Sequence, residues 1–216
     1  MRRGVRIALL AIAIPLAALI LYEGYALFRA KQRTPAVLAA AARGELVYGD
    51  LSPRRRAMLL RVEDPNFFRH RGIDFSTPGA GMTTITQSLV KRFYFDDFQP
   101  GFAKIEQSLI ARFVLDPAMP KEAQLTAFLN HTPFATVRGR RVTGFAAAAR
   151  AFYGRELAEI SDREFLSLVA MGMAPSRLDP LRHAAANAER VRRIERLLAG
   201  ECAPQGLRDV DYEGCA

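Results

Sequence analysis

The chain has 216 residues, enough for one domain with a substantial core plus an anchor or tail. Its formal net charge of +9, from 31 Lys and Arg against 22 Asp and Glu, favours acidic lipid or phosphate-bearing substrates, with plain solubility as the bland explanation. Trp is absent and no run interleaves aromatics with basic residues, which makes nucleic acid the weaker polyanion, and neither Cys has metal-ligand spacing, with His too scarce to complete a zinc site.

At the N-terminus Arg2, Arg3 and Arg6 precede Ile7 to Tyr22, sixteen apolar residues without a charge, followed by Glu23 and a further apolar stretch to Phe28. A helix from Ile7 to Phe28 reaches roughly 33 Å, enough for a hydrocarbon core about 30 Å thick. Tyr22, Tyr25 and Phe28 would then lie at headgroup depth, with the basic start on the cytoplasmic side and the rest of the chain outside. A cleaved signal peptide would end in a small-x-small site; none follows Tyr22, which favours an uncleaved anchor. The expected division is an anchor over 1–28, a basic then Ala-rich linker over 29–48, a helical domain over 49–200 and a loose tail over 201–216. Cys202 and Cys215 lie in that tail, as a disulfide or as two free thiols.

Ser52-Pro53 gives a capping serine and a proline at the first helical position, predicting a helix that Pro65 ends. Its arginines, Arg54 to Arg56, read as a solvated or membrane-facing surface. Thr83 and Thr84 open a second helix to about Phe93. A third is predicted from Phe102 to Leu115, where Phe102, Ile105, Leu109, Ile110 and Phe113 keep the helical period and predict a buried face. Further helices are expected over Lys121–Leu129, Thr143–Phe152, from the Ser161/Glu164 capping box to Met173, and over Ala184–Leu198. Strand-like alternation is nearly absent, so the fold class is mainly α.

Three places carry chemistry. Glu63 ends its helix beside Asp64, and both the negative end of the helix dipole and the neighbouring carboxylate would raise its pKa toward general acid or base work; a solvated acidic pair is the ordinary alternative. Gly79-Ala-Gly81 leads into Thr83 and Thr84 at a helix start, an arrangement that can receive an anion or simply cap the helix through Thr84 and Gln87, with Lys91 two turns on. Glu106 falls on the apolar stripe of its helix without an i±3 or i±4 basic partner, so its partner must come from elsewhere.

These residues fall into motifs. Glu63, Asp64, Phe67, His70 and Gly72 fill E-D-x-x-F-x-x-H-x-G; Gly81, Thr83, Thr84, Ile85, Thr86, Gln87 and Lys91 follow G-G-S-T-I-T-Q-Q-x-x-K closely. Lys104 and Glu106 keep part of R-K-x-x-E, and Lys121 to Asn130 follows K-x-x-I-L-E-x-Y-L-N with Thr126 for its glutamate. Over roughly 50 to 195 the chain thereby resembles the family 51 glycosyltransferases, the peptidoglycan glycosyltransferase domains of class A penicillin-binding proteins and their monofunctional relatives. It differs in having eight residues between Gly72 and Gly81 where the family carries a much longer helical segment.

The resemblance implies a lysozyme-like helical domain on the outer face of a bacterial cytoplasmic membrane, polymerising lipid II into glycan strands with release of polyprenyl pyrophosphate. By analogy Glu63 is the general base and Glu106 a second catalytic carboxylate that holds a divalent cation (Mg or Mn) or orients nearby basic groups. Lys91 and Lys104 would stabilise the pyrophosphate, and Asp64, Phe67, His70, Gly81, Thr83, Thr84 and Gln87 would contribute to substrate binding. The implied partners are lipid II, the growing glycan strand, the membrane and other cell-wall synthesis proteins. Two other functions fit the residues: a non-catalytic, membrane-anchored relative that binds lipid-linked or polymeric glycan, and a lysozyme-like glycan hydrolase.

Overall fold

The computed structural model describes residues 2–79, 81 and 83–216; the side chains of Arg2, Arg3 and Arg6, the expected basic start, lie outside the described set, as do Ala80 and Met82 of the glycine-rich turn. The order of elements is α1 (Arg2–Ala41), α2 (Pro53–Glu63), α3 (Ile85–Tyr94), α4 (Phe102–Ile110), a π-helical turn (Ala111–Leu115), α5 (Asp116–Ala118), α6 (Lys121–His131), β1 (Pro133–Val137), β2 (Arg140–Thr143), α7 (Phe145–Tyr153), α8 (Asp162–Met173) and α9 (Ala184–Ala199). The chain is mainly helical, with a long apolar helix at its start.

α1 has a stretch long and apolar enough to cross a membrane. As far as Phe28 its large apolar side chains, among them Ile12, Ile14 and Leu21, are exposed. Beyond that the helix continues without a break, which corrects the linker expected over 29–48. Ala26, Ala30, Thr34, Val37 and Ala41 recur at helical spacing and are all buried. Thr34 shares a hydrogen bond with the Tyr94 hydroxyl (2.9 Å), and Arg33 Nη1 donates to the Tyr94 carbonyl (3.0 Å). The anchor is therefore docked on α3 as well as packed against α4.

α2 starts where Ser52 Oγ accepts from the Arg55 N–H, with Pro53 in the first turn. Its arginines are clamps more than a solvated face. Arg55 reaches Asp162 (3.0 Å) and the Leu157 carbonyl (2.7 Å), and Arg56 Nη1 donates to the Leu51 carbonyl (2.7 Å). Residues 133–143, where no strand was expected, form an antiparallel hairpin closed by Arg138 and Gly139, both at positive φ. An irregularity between Pro133 and Thr136 breaks the side-chain alternation, so the period-2 signal is lost.

α4 leads straight into the π-turn. Pro117 lacks an N–H and its ring crowds the carbonyl four residues back, so the ladder widens just before it. The apolar face of α4 is not buried: Phe102 is 74% and Phe113 55% exposed, and only Ile110 of that stripe is enclosed. It lies beside α1, which carries many of the exposed apolar side chains. The core sits on the other side, around Phe145, which packs edge-on to Phe134 and beside Phe165, with α8 and α9 behind.

The expected loose tail is also corrected. Cys202 and Cys215 are joined by a disulfide. Tyr212 between them is fully buried, and its hydroxyl donates to the Val62 carbonyl at 3.0 Å. An aromatic ring and a paired hydroxyl give this segment a reason to fold onto the domain that its polar composition hides.

Candidate active site

Glu63 is the last residue of α2 and projects into a groove of about 780 Å³. Thr83, Thr84 and Lys91 from the start and body of α3, His131 from α6 and Arg190 from α9 share its lining. α8 meets the carboxylate with Gly172, where a Cβ would stand 2.8 Å from Glu63 Oε1. The absence of a side chain there is what leaves room for the acid. Burial pushes the Glu63 carboxyl up to about 7; Arg190 pulls it back, and Asp64 adds a smaller rise. Desolvation leads, and the neighbouring Asp64, expected to be a main cause, is minor. A carboxyl that titrates near neutrality suits proton abstraction.

Beneath the groove, the first two motifs lock together. His70 Nε2 stands 2.9 Å from both oxygens of Asp64, while His70 Nδ1 accepts the Gly72 N–H at 3.1 Å. The backbone donor fixes the tautomer: Nδ1 is the acceptor, so Nε2 carries the hydrogen given to Asp64. Asp64 Oδ2 also accepts the Ile85 N–H (3.0 Å) at the start of α3. Thr84 Oγ1 donates to the Gly72 carbonyl (2.7 Å) and accepts from Gln87 N (3.1 Å), and Gln87 Oε1 accepts from Thr84 N (3.0 Å), completing a capping box.

This placement corrects part of the expected substrate-binding set. Asp64 is 2%, Phe67 1% and Gln87 0% exposed, and the His70 side chain is enclosed with Asp64. Such groups cannot reach a ligand in the groove; they hold Glu63 and the start of α3 in place from below. Gly81, Thr83, Thr84 and Lys91 do line the groove.

Lys104 comes from α4 and donates to Thr83 Oγ1 at 2.8 Å. Burial, and then the neighbouring Lys91, lower its pKa, so the two ammonium groups are close enough to repel. Lys91 itself lies over the Phe98 ring at 5.1 Å. Asp96 and Asp97 add negative charge to the same rim.

Glu106 does not line this groove. Burial raises its pKa and the more distant charge of Arg29 on α1 lowers it, without an ion pair between the two among the described residues. Glu106 is thus separate from Glu63. Among the described residues no group of three or more His, Cys, Asp and Glu is placed to hold a metal ion. Glu106 thus offers a cation a single carboxylate and not an all-protein cage.

Arg190 is the site residue that no motif announces. It is 6% exposed, its guanidinium lies 4.3 Å over the Tyr212 ring, and its Nε and Nη1 have no hydrogen-bond partner among the described residues. The available signal was the one that drew attention to Glu106: a charge on the apolar stripe of an amphipathic helix, here beside Asn187, Val191, Ile194 and Leu197, all buried.

A sequence model described as transglycosylase matches residues 32–199. Penicillin-binding protein 1A of Neisseria gonorrhoeae is 26% identical over 146 residues, covering 62% of this chain and 18% of that protein. Penicillin-binding protein 1A of Streptococcus oralis is 29% identical over 147 residues, covering 61% and 22%. Penicillin-binding protein 1F of Bacillus subtilis (strain 168) is 27% identical over 148 residues, covering 62% and 20%. The chain thus spans about a fifth of the length of these curated relatives.

Proposed function

The chain belongs to the transglycosylase family, and from that premise we propose that it is a membrane-anchored peptidoglycan glycosyltransferase that polymerises lipid II. The observation that carries this reading is the place of Glu63 at the wall of a groove whose rim holds Lys91 and Thr83, where burial raises its pKa to about 7. Glu63 would take the proton from the 4-hydroxyl of the acceptor sugar. The oxygen attacks the anomeric carbon of the donor with inversion. The bond from that carbon to the diphosphate oxygen breaks, and polyprenyl pyrophosphate leaves with the electron pair. Lys91, Lys104 and the Thr83 hydroxyl would meet the charge that develops on it.

The exposed apolar sides of α1 and α4 support delivery of a lipid-linked substrate from the membrane surface. The orientation that fits is a basic N-terminus inside and the domain outside, at the cytoplasmic membrane. Growing glycan and other cell-wall synthesis proteins are the partners this reading implies.

A second reading, a non-catalytic glycan-binding relative, is favoured by one observation: Glu106 is not in the groove with Glu63. Purified full-length protein in detergent distinguishes the two. Polymerisation of lipid II that Glu63→Gln abolishes is expected. Glycan binding without polymer, unaltered in Glu63→Gln, supports the binding module, and release of soluble fragments from finished peptidoglycan indicates a hydrolase.

A further inference from the structure

The C-terminal segment is built into the site. Between the bonded cysteines, Val210 lines the Glu63 groove. The Tyr212 hydroxyl is tied to the carbonyl of Val62, the residue preceding Glu63, while its ring lies under Arg190. The Gly206 carbonyl accepts the Gly79 N–H at 3.0 Å. A Cβ on Gly79 would stand 2.5 Å from Pro204 and 2.8 Å from Tyr212, so the glycine-rich turn and the C-terminal loop are in close contact. On its other side the loop is held by α9, where Arg193 donates to the Asp211 carbonyl (3.1 Å) and Arg196 to the Cys215 carbonyl (2.9 Å). This loop therefore flanks the short segment between Gly72 and Gly81.

We propose that the disulfide-closed loop 202–215 is a working wall of the Glu63 groove, and that through Tyr212 it sets Arg190 as a positioning residue whose positive charge acts on the Glu63 carboxyl. This rests on reading Glu63 as the base of the reaction. A guanidinium with unpaired donors inside a protein is costly unless its charge has an opposite charge to act on. Among the described residues, Asp64 from its own helix end and Arg190 from α9 act on the Glu63 charge, α8 meets it with uncharged Gly172, and the loop brings Tyr212 near it. Lys91, Arg92, Asp96, Asp97 and His131 line the same groove. The Tyr212 phenol is pushed up to about 12 by burial, so it is neutral at working pH. Burial lowers the Arg190 pKa, Tyr212, Asp211 and Glu63 support the cation, and Arg193 opposes it. Arg190 thus offsets part of the desolvation of Glu63, keeping an enclosed carboxyl able to ionise near neutrality. Tyr212 supplies the flat, electron-rich face that holds the guanidinium without neutralising it, as a carboxylate partner would.

The test is direct titration of the Glu63 carboxyl by 13C NMR on the full-length chain in detergent micelles, with the signal assigned from Glu63→Gln. It needs no polymerisation, so a failure here is separate from a failure of the functional reading. Arg190→Met is expected to move the Glu63 midpoint upward by about one unit, and Arg190→Lys to leave it close to wild type. In a chain carrying Cys202→Ser and Cys215→Ser, with helical circular dichroism retained, Arg190→Met is expected to move the midpoint by less than it does with the disulfide intact. An unmoved midpoint in Arg190→Met overturns the role of Arg190, and an equal shift with and without the disulfide overturns the role of the loop. If Arg190→Met does not fold, Arg190→Gln takes its place in the same comparison, with the same two outcomes.

Discussion

Gly172 stands where any side chain would press on Glu63: its missing Cβ would lie 2.8 Å from Oε1 of the carboxylate. Gly172 is in α8, where alanine is the better helix former by roughly 0.5–1 kcal/mol. Gly172→Ala should therefore leave the melting temperature unchanged or higher. It must also push the Glu63 side chain aside, and a displacement on the order of 1 Å in a reacting group costs roughly a hundredfold in rate. Thermal melts alongside lipid II turnover check this; a stable variant with full turnover would show that the position of Glu63 is not critical.

Glu63 also predicts how stability depends on pH. An unfolded glutamate titrates near 4.5 and Glu63 is raised to about 7 in the fold, so between these values the native state binds a proton that the unfolded state has lost. Stability from this group is full below about 4.5 and falls as pH rises through 7, by at most about 3 kcal/mol. Glu63→Gln cannot ionise. It should match wild type at pH 4, exceed it at pH 8, and have no turnover at either. Urea melts at a series of pH values measure the difference, and equal slopes for the two chains would contradict a raised carboxyl.

The motif ends of the site were legible because their chemistry is local: a capping threonine, a paired glutamine, and a histidine six residues from its aspartate. The sequence pattern also marks nearly every helix, since caps and breakers lie within one turn of the boundary they set. What it hid depends on contacts far apart in the chain. Asp64, Phe67, His70 and Gln87 are in the right motifs, yet their burial gives them a supporting task that spacing cannot reveal. α4 has a regular apolar stripe, and periodicity alone cannot say whether protein or lipid covers it. Tyr212 meets Val62 across 150 positions, so nothing near it in sequence suggests that the tail closes on the domain.

The Asp64–His70 pair should be a stability element first. Asp64→Ala removes the acceptor of the His70 Nε2 hydrogen and of the Ile85 N–H, leaving two enclosed donors without partners. Each such loss costs about 1–3 kcal/mol, so a total of about 3 kcal/mol is expected. His70→Ala strands one donor, the Gly72 N–H, while Asp64 keeps the Ile85 N–H, so it should cost less. Chemical denaturation of the two variants and their combination measures the coupling, and additive losses would mean that the pair does not act as a unit.

Lys91 and Lys104 are brought together from α3 and α4, and Lys104 is hydrogen-bonded to Thr83 at the start of α3. Two cations held this way repel until an anion arrives, which predicts opposite effects on stability and on turnover. Lys91→Met should relieve the repulsion, raise the Lys104 pKa and stabilise the chain by about 0.5 kcal/mol. The same change should lower turnover of lipid II by about ten- to a hundredfold, mainly in kcat, because the charge is needed as the diphosphate departs. Inorganic pyrophosphate provides a readout independent of turnover. It should raise the melting temperature of wild type, less so that of Lys91→Met, and not that of Lys91→Met with Lys104→Met, since a ligand stabilises only the state that binds it. Equal protection of all three proteins would place the diphosphate elsewhere and remove both lysines from the leaving-group site.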